Sequence, residues 1–253
     1  MSGRIQVRSD GRLGRITLAA GSLNILDTDD VRAIERAVHE LGGRPVILLD
    51  AAGDRAFSAG MDVSDHSPDR ASAMLAALAE MADAFRTTSS VTVAKVDAPA
   101  LGGGFELVLL CDLAVCSERA SFALPEIKLA ALPPIACSLL PAAVGERRAL
   151  ELILTGRKLD AAAAEQWGII SRAVPHDALD EHISELCGAL LSLSEDALRC
   201  CKRAARSRDA GDAMRIYTDV LLHTRDAAEG IQSFIERRAP TWNWQHELEE
   251  VAP

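Results

Sequence analysis

The chain has 253 residues, 49% apolar and 25% charged, the balance of a folded globular protein, which excludes wholesale disorder. The length allows one large domain, or one domain with a helical appendage. A formal charge of −10 argues against a nucleic-acid partner, whose phosphates call for a basic patch.

Six cysteines without a CxxC pair and six scattered histidines give neither metal-ligand spacing nor a disulfide framework, so a reducing compartment is expected. The first residues, MSGRIQVRSDGRLG, hold no apolar stretch of the signal-peptide kind. The uncharged run 129–145 is broken by Pro133, Pro134 and Pro141, so no membrane span is expected there. The reading is a cytosolic protein with no membrane partner.

In chain order, Ile5, Val7, Ile16 and Leu18 alternate about a turn at 11–14 and predict a strand pair. Val31, Ile34, Val38 and Leu41 recur at helical spacing, so 27–41 is predicted helical, with Thr28 or Asp29 as its cap. PVILLDA (45–51) is a short continuous apolar run, as in a strand covered on both faces. FSAGMDVSDHSPD (57–69) reads as a loop and 70–86 as a helix. SVTVAKVDA (90–98) reads as a strand, 99–104 as a turn, 105–111 as a short helix and LAVCSE (113–118) as another strand. Such alternation predicts an α/β core with a largely parallel arrangement. From Glu146 onward the pattern is helical, near 146–155, 160–167, 176–191, 194–207, 209–226 and 226–238.

Three separated motifs carry the chemistry: FSAGMD (57–62), ALGGGFE (100–106) and LPEI (124–127). Glycines that open a helix bare N–H groups at its positive end, which suits a phosphate or a developing oxyanion. A tight strand-to-helix turn is the plain alternative. The GxGxxG dinucleotide pattern is not matched, because Phe105 and Glu106 follow Gly104. Glu106 stands before the apolar run 107–110, and Glu126 follows Pro125 in an equally apolar setting. A carboxylate so placed is paired or functional, and two of them could share a water as an acid/base pair. Either alone could equally be a helix cap or half of an ion pair. His66, close to the first motif, is a surface loop residue or a group that touches substrate. Cys111 and Cys137 read as packing residues, and Trp242 and Trp244 as a contact between subunits.

Together these motifs resemble the enoyl-CoA hydratase/isomerase (crotonase) superfamily, nearly end to end, through LTGRKLDAAAAEQWGIISRAVP (154–175) and FIERR (234–238). The resemblance implies an α/β spiral of ββα units over 1–190 and a C-terminal helical region over 191–253. That region would form trimers, often paired into hexamers. It implies acyl-CoA thioester substrates, with coenzyme A entering as part of the substrate and no separate cofactor or metal. Met61 and Gly103 match the residues whose backbone N–H groups hold the thioester oxygen, within Ala59–Asp62 (Ala59, Gly60, Met61, Asp62) and Gly102–Gly103. Glu106 and Glu126 match the two hydratase acids, Glu126 serving the C2 proton and Glu106 the water. Phe234 and Arg237 match a stretch that helps hold coenzyme A near a subunit boundary.

Common short-chain hydratases follow P-E-I with a glycine-rich stretch; here the text is KLAALPPIACSLLPAAVG (128–145). This resembles the branch that hydrates cyclic dienoyl-CoAs such as cyclohexa-1,5-diene-1-carbonyl-CoA, as do VSDHSPD (63–69) and RRAPTWNW (237–244). A wide apolar pocket could equally serve a branched or polyketide-type acyl chain. A double-bond isomerase would need one acid only. A catalytically idle homologue binding acyl-CoA or RNA is a further alternative of a different class. The two acids weigh against both, and the charge of −10 weighs further against the idle homologue.

Overall fold

The computed structural model describes residues 3–244. The chain opens with β1 (Ile5–Asp10) and β2 (Leu13–Leu18), an antiparallel hairpin turned at Gly11, whose φ is 55°. After β3 (Ile25–Leu26) comes α1 (Thr28–Leu41), which buries Val31, Ile34, Val38 and Leu41. Its cap is Asp27, one residue before Thr28 and two before Asp29, the residues expected. The Asp30 amide donates to Asp27 Oδ1 (2.9 Å), and the Asp27 amide donates to Asp30 Oδ2 (3.1 Å).

β4 (Val46–Ala51), β5 (Gly60–Met61), α2 (Ala71–Thr87), β6 (Val91–Val96), β7 (Ala100–Leu101), α3 (Gly103–Leu110), β8 (Leu113–Ser117) and β9 (Ser121–Ala123) follow. Then come α4 (Pro134–Val144), α5 (Glu146–Thr155), β10 (Leu159–Asp160), α6 (Ala161–Trp167), β11 (Arg172–Val174), α7 (Leu179–Leu191), α8 (Glu195–Ser207), α9 (Ala210–Asp219) and α10 (Arg225–Glu236). The main sheet runs β1-β2-β4-β6-β8-β11, antiparallel only between β1 and β2. β3 pairs with β5, and β9 stands between β7 and β10.

The continuous apolar run of β4 is explained by cover on both faces. Ile47 and Leu49 join the main core with α1 and α2, while Val46 and Leu48 join a second cluster with Leu179, Ile183 and Cys187 of α7. The C-terminal helices are bound to this sheet by ions. Asp112, between α3 and β8, accepts from the Thr92 amide (2.8 Å), from Lys202 (2.7 Å) and from Arg206 (2.6 Å), both on α8. Lys202 also donates to the Ser90 carbonyl (2.5 Å).

Several elements depart from expectation. The proline-broken run contains α4, with Pro134 in its first turn, where a fixed φ and a missing N–H cost nothing, and with Pro141 inside the helix, where it gives up one intrahelical bond. The span 57–69 holds β5 and a 3-10 turn at Val63–His66. The helix expected over 209–226 ends at Asp219, and a 3-10 turn at Leu221–His223 precedes α10. Trp242 and Trp244 both have partners within the chain. The Trp242 indole N–H donates to the Ser192 carbonyl (2.9 Å), and the Arg12 guanidinium lies 3.7 Å from the Trp244 ring centre.

Candidate active site

The three sequence motifs meet through backbone hydrogen bonds. The Phe57 amide donates to the Pro99 carbonyl (2.9 Å) and the Leu101 amide to the Ser58 carbonyl (2.9 Å), stitching the first motif to the second. The Gly102 amide donates to the Ala123 carbonyl (2.9 Å), which brings up the third. Side chains would break this seam. A Cβ on Gly104 would lie 2.5 Å from the Ser58 carbonyl oxygen. Gly102 has a φ of 54°, and a Cβ there would lie 2.7 Å from Glu126 Oε1.

The seam sets two amides side by side. The Met61 nitrogen is 3.6 Å from where a Gly103 Cβ would stand, and the Gly103 nitrogen 3.3 Å from where a Gly60 Cβ would stand. Gly103 begins α3, so its N–H has no partner within the helix. Ala59 and Asp62 hold the strand: the Ala59 amide donates to the Leu23 carbonyl (2.9 Å) and the Asp62 amide to the Leu26 carbonyl (2.7 Å). The Asp62 carboxylate accepts from the Ser64 amide (2.8 Å), which caps the following turn and lowers the carboxyl's pKa.

Glu106 is buried on α3, at 2% exposure. Its Oε1 accepts from the Ile135 amide (2.8 Å) and the Ala136 amide (2.9 Å), both in the first turn of α4. Burial pushes its carboxyl up to about 7, the charge of Glu126 adds to this, and the two amides oppose it. Glu126 lies in a 3-10 turn, Pro125–Leu129, half-buried, with Oε2 buried and without a hydrogen-bond partner among the described residues. Burial raises its pKa as well, and the nearby His66 opposes. His66 donates from Nδ1 to the Asp62 carbonyl (3.2 Å), leaving Nε2 free of that bond.

Cys137 is not a packing residue. It is exposed on α4, and its thiol pKa is raised by partial burial and by the charges of Glu106 and Glu126. The hydrophobic setting of Cys137 in the sequence hid this; Pro134 as a helix-starting residue was the available signal, since it puts 135–137 in one first turn. Cys111 does pack against the core, and its Sγ is 3.5 Å from the Leu107 carbonyl.

Met61, Gly103, Glu106 and Glu126 are thus brought together, with Gly60, Gly102 and His66 around them. Phe234 and Arg237 are placed elsewhere, both exposed at the end of α10, which packs on α8 and the turn 221–223. Two amides facing a space flanked by two carboxylates of raised pKa suit a reaction that builds negative charge on an oxygen and moves a proton.

A family model described as enoyl-CoA hydratase/isomerase matches residues 14–245. A protein named probable enoyl-CoA hydratase from Mycobacterium tuberculosis is 35% identical over 252 residues, covering 93% of this chain and 96% of its own. Cyclohexa-1,5-dienecarbonyl-CoA hydratase from Thauera aromatica is 31% identical over 250 residues, covering 94% of this chain and 96% of its own. A crystal structure of enoyl-CoA hydratase subunit I from Geobacillus kaustophilus superposes with a TM-score of 0.86 at 34% identity, covering 94% of this chain and 97% of that one.

Proposed function

The chain belongs to the enoyl-CoA hydratase/isomerase (crotonase) superfamily, and on that premise we propose that it adds water across the double bond of an α,β-unsaturated acyl-CoA thioester. One observation carries the reading: both Glu106 and Glu126 flank the paired amides of Met61 and Gly103. The thioester oxygen takes those two N–H groups. Water attacks C3, the electron pair moves to C2 and the thioester oxygen, and the amides stabilise the enolate, each donor worth roughly 10²–10³ in rate. Glu106 accepts the proton of the water and Glu126 delivers one to C2, after which a proton passes from Glu106 to Glu126 and restores the pair. An isomerase needs a single shuttling acid, and the second buried glutamate is then unused.

The acyl group proposed is short or cyclic. Cyclic dienoyl thioesters are favoured by the apolar first turn of α4, which starts against Glu106, and by the likeness to the Thauera protein. Phe234 and Arg237 are proposed to hold coenzyme A at a boundary between subunits, with Arg237 facing phosphate. The exposed apolar residues Met214, Tyr217, Ile231, Phe234 and Ile235 support self-association as trimers or hexamers, which light scattering measures.

The test of function pairs crotonyl-CoA with cyclohexa-1,5-diene-1-carbonyl-CoA. Conjugated-thioester absorbance is followed, and products are weighed for one added water. Hydration of either supports the reading, and the faster substrate identifies the acyl class. Unchanged mass with both substrates contradicts it.

A further inference from the structure

The first turn of α4 has a complete hydrogen-bond account. Pro134 has no N–H, the Cys137 amide donates to the Pro133 carbonyl (2.9 Å), and the remaining amides, Ile135 and Ala136, both donate to Glu106 Oε1. One carboxylate oxygen therefore satisfies every orphan donor at the start of that helix. Glu106 Oε2 takes no hydrogen bond from the described residues. The same turn carries Cys137, whose thiol is exposed.

We propose that Glu106 has two tasks divided between its oxygens: Oε1 latches the first turn of α4 against the site, fixing the wall at Ile135–Cys137 and with it the acyl group that fits, while Oε2 alone serves the reacting water. The proposal rests on the hydratase reading for the second task only. It makes Glu106 a positioning residue as well as a catalytic one, and it separates substitutions that a purely chemical role would treat alike. Glutamine keeps an oxygen for the two amides and loses the base. Methionine, of similar length, loses both.

The test compares Glu106→Gln with Glu106→Met, using butyryl-CoA, a saturated thioester that cannot react, in titration calorimetry. Amide hydrogen exchange over residues 133–140 is measured in parallel. The glutamine variant is expected to bind butyryl-CoA within about twofold of wild type. The methionine variant, which leaves both amides without their acceptor, is expected to bind at least about tenfold more weakly. Its Ile135 and Ala136 amides should exchange at least about tenfold faster. Equal affinity and equal exchange in the two variants would overturn the latch. If the methionine variant fails to fold, wild-type exchange decides: protected Ile135 and Ala136 amides support the latch, and loop-like exchange overturns it. If wild type binds no butyryl-CoA, the thioester reading falls while the exchange result still judges the latch.

Discussion

Gly103 and Gly104 are neighbours with opposite costs of substitution. A side chain at Gly103 first meets the flexible Met61 side chain, at 3.2 Å from Cγ, and crowds the space before the two amides. Gly103→Val is therefore expected to lose roughly 10²–10³ in kcat/KM with little change in melting temperature. At Gly104 the first obstacle is the rigid Ser58 carbonyl, 2.5 Å away, so Gly104→Val is expected to fail in folding, as read by circular dichroism. Glu106 ties pH to both stability and rate. Burial raises its carboxyl from 4.5 to about 7, so protonation stabilises the fold below the lower value, and this contribution is lost as pH climbs to the upper one. The loss is about 3 kcal/mol, and it should vanish in Glu106→Gln, whose denaturant midpoint should vary less between pH 4.5 and 8. In wild type the rate should fall as pH drops below about 7, where Glu106 takes up its proton. The residues that gather at the site were legible as motifs because the close approach of the two segments leaves room only for glycine at 102 and 104. The latch at Ile135 and Ala136 was not, because its donors are backbone groups that leave no mark in side-chain pattern.

Elements were legible where one local rule ruled. β4 showed as a continuous apolar run because both its faces are covered, and α1 showed as a stripe at helical spacing. α4 was hidden because proline reads as a breaker, although at a helix start it is favoured. β11 was hidden because three residues carry no periodicity; pairing with β8 makes it a strand. The end of α9 at Asp219 was hidden inside a pattern that stayed helical through Arg225. The join between α8 and the sheet is the element-level feature most open to test. Asp112 meets Lys202, whose side chain is only 8% exposed, so removing the carboxylate strands a buried cation. Asp112→Ala is expected to destabilise the fold by about 3 kcal/mol in urea unfolding, with faster amide exchange along α8. Asp112→Asn should lose less, since its side-chain oxygen still accepts from the Thr92 amide.

Across the whole molecule, strand–helix alternation announced a largely parallel sheet, and the sheet order β2-β4-β6-β8-β11 follows chain order with every pair parallel. Alternation does not say that residues 57–62, 100–106 and 124–127 converge. The glycines of the first two and the acids of all three suggested it, and the backbone seam from Phe57 to Ala123 is the physical cause. Trp242 and Trp244 have within-chain partners that the sequence did not announce. Their packing partners, Ser192 and Arg12, are far away in sequence and present no pattern to read. Among the described residues no helix is long and apolar enough to cross a membrane. Hydration of a conjugated thioester by two glutamates and two amides is tested most directly by turnover of crotonyl-CoA and cyclohexa-1,5-diene-1-carbonyl-CoA by wild type, Glu106→Gln and Glu126→Gln, with product mass recorded. Wild type is expected to give a product heavier by one water, and each folded variant to lose about 10²–10⁴ in kcat. Near-normal turnover by both folded variants, or no hydrated product from wild type with either thioester, would contradict it.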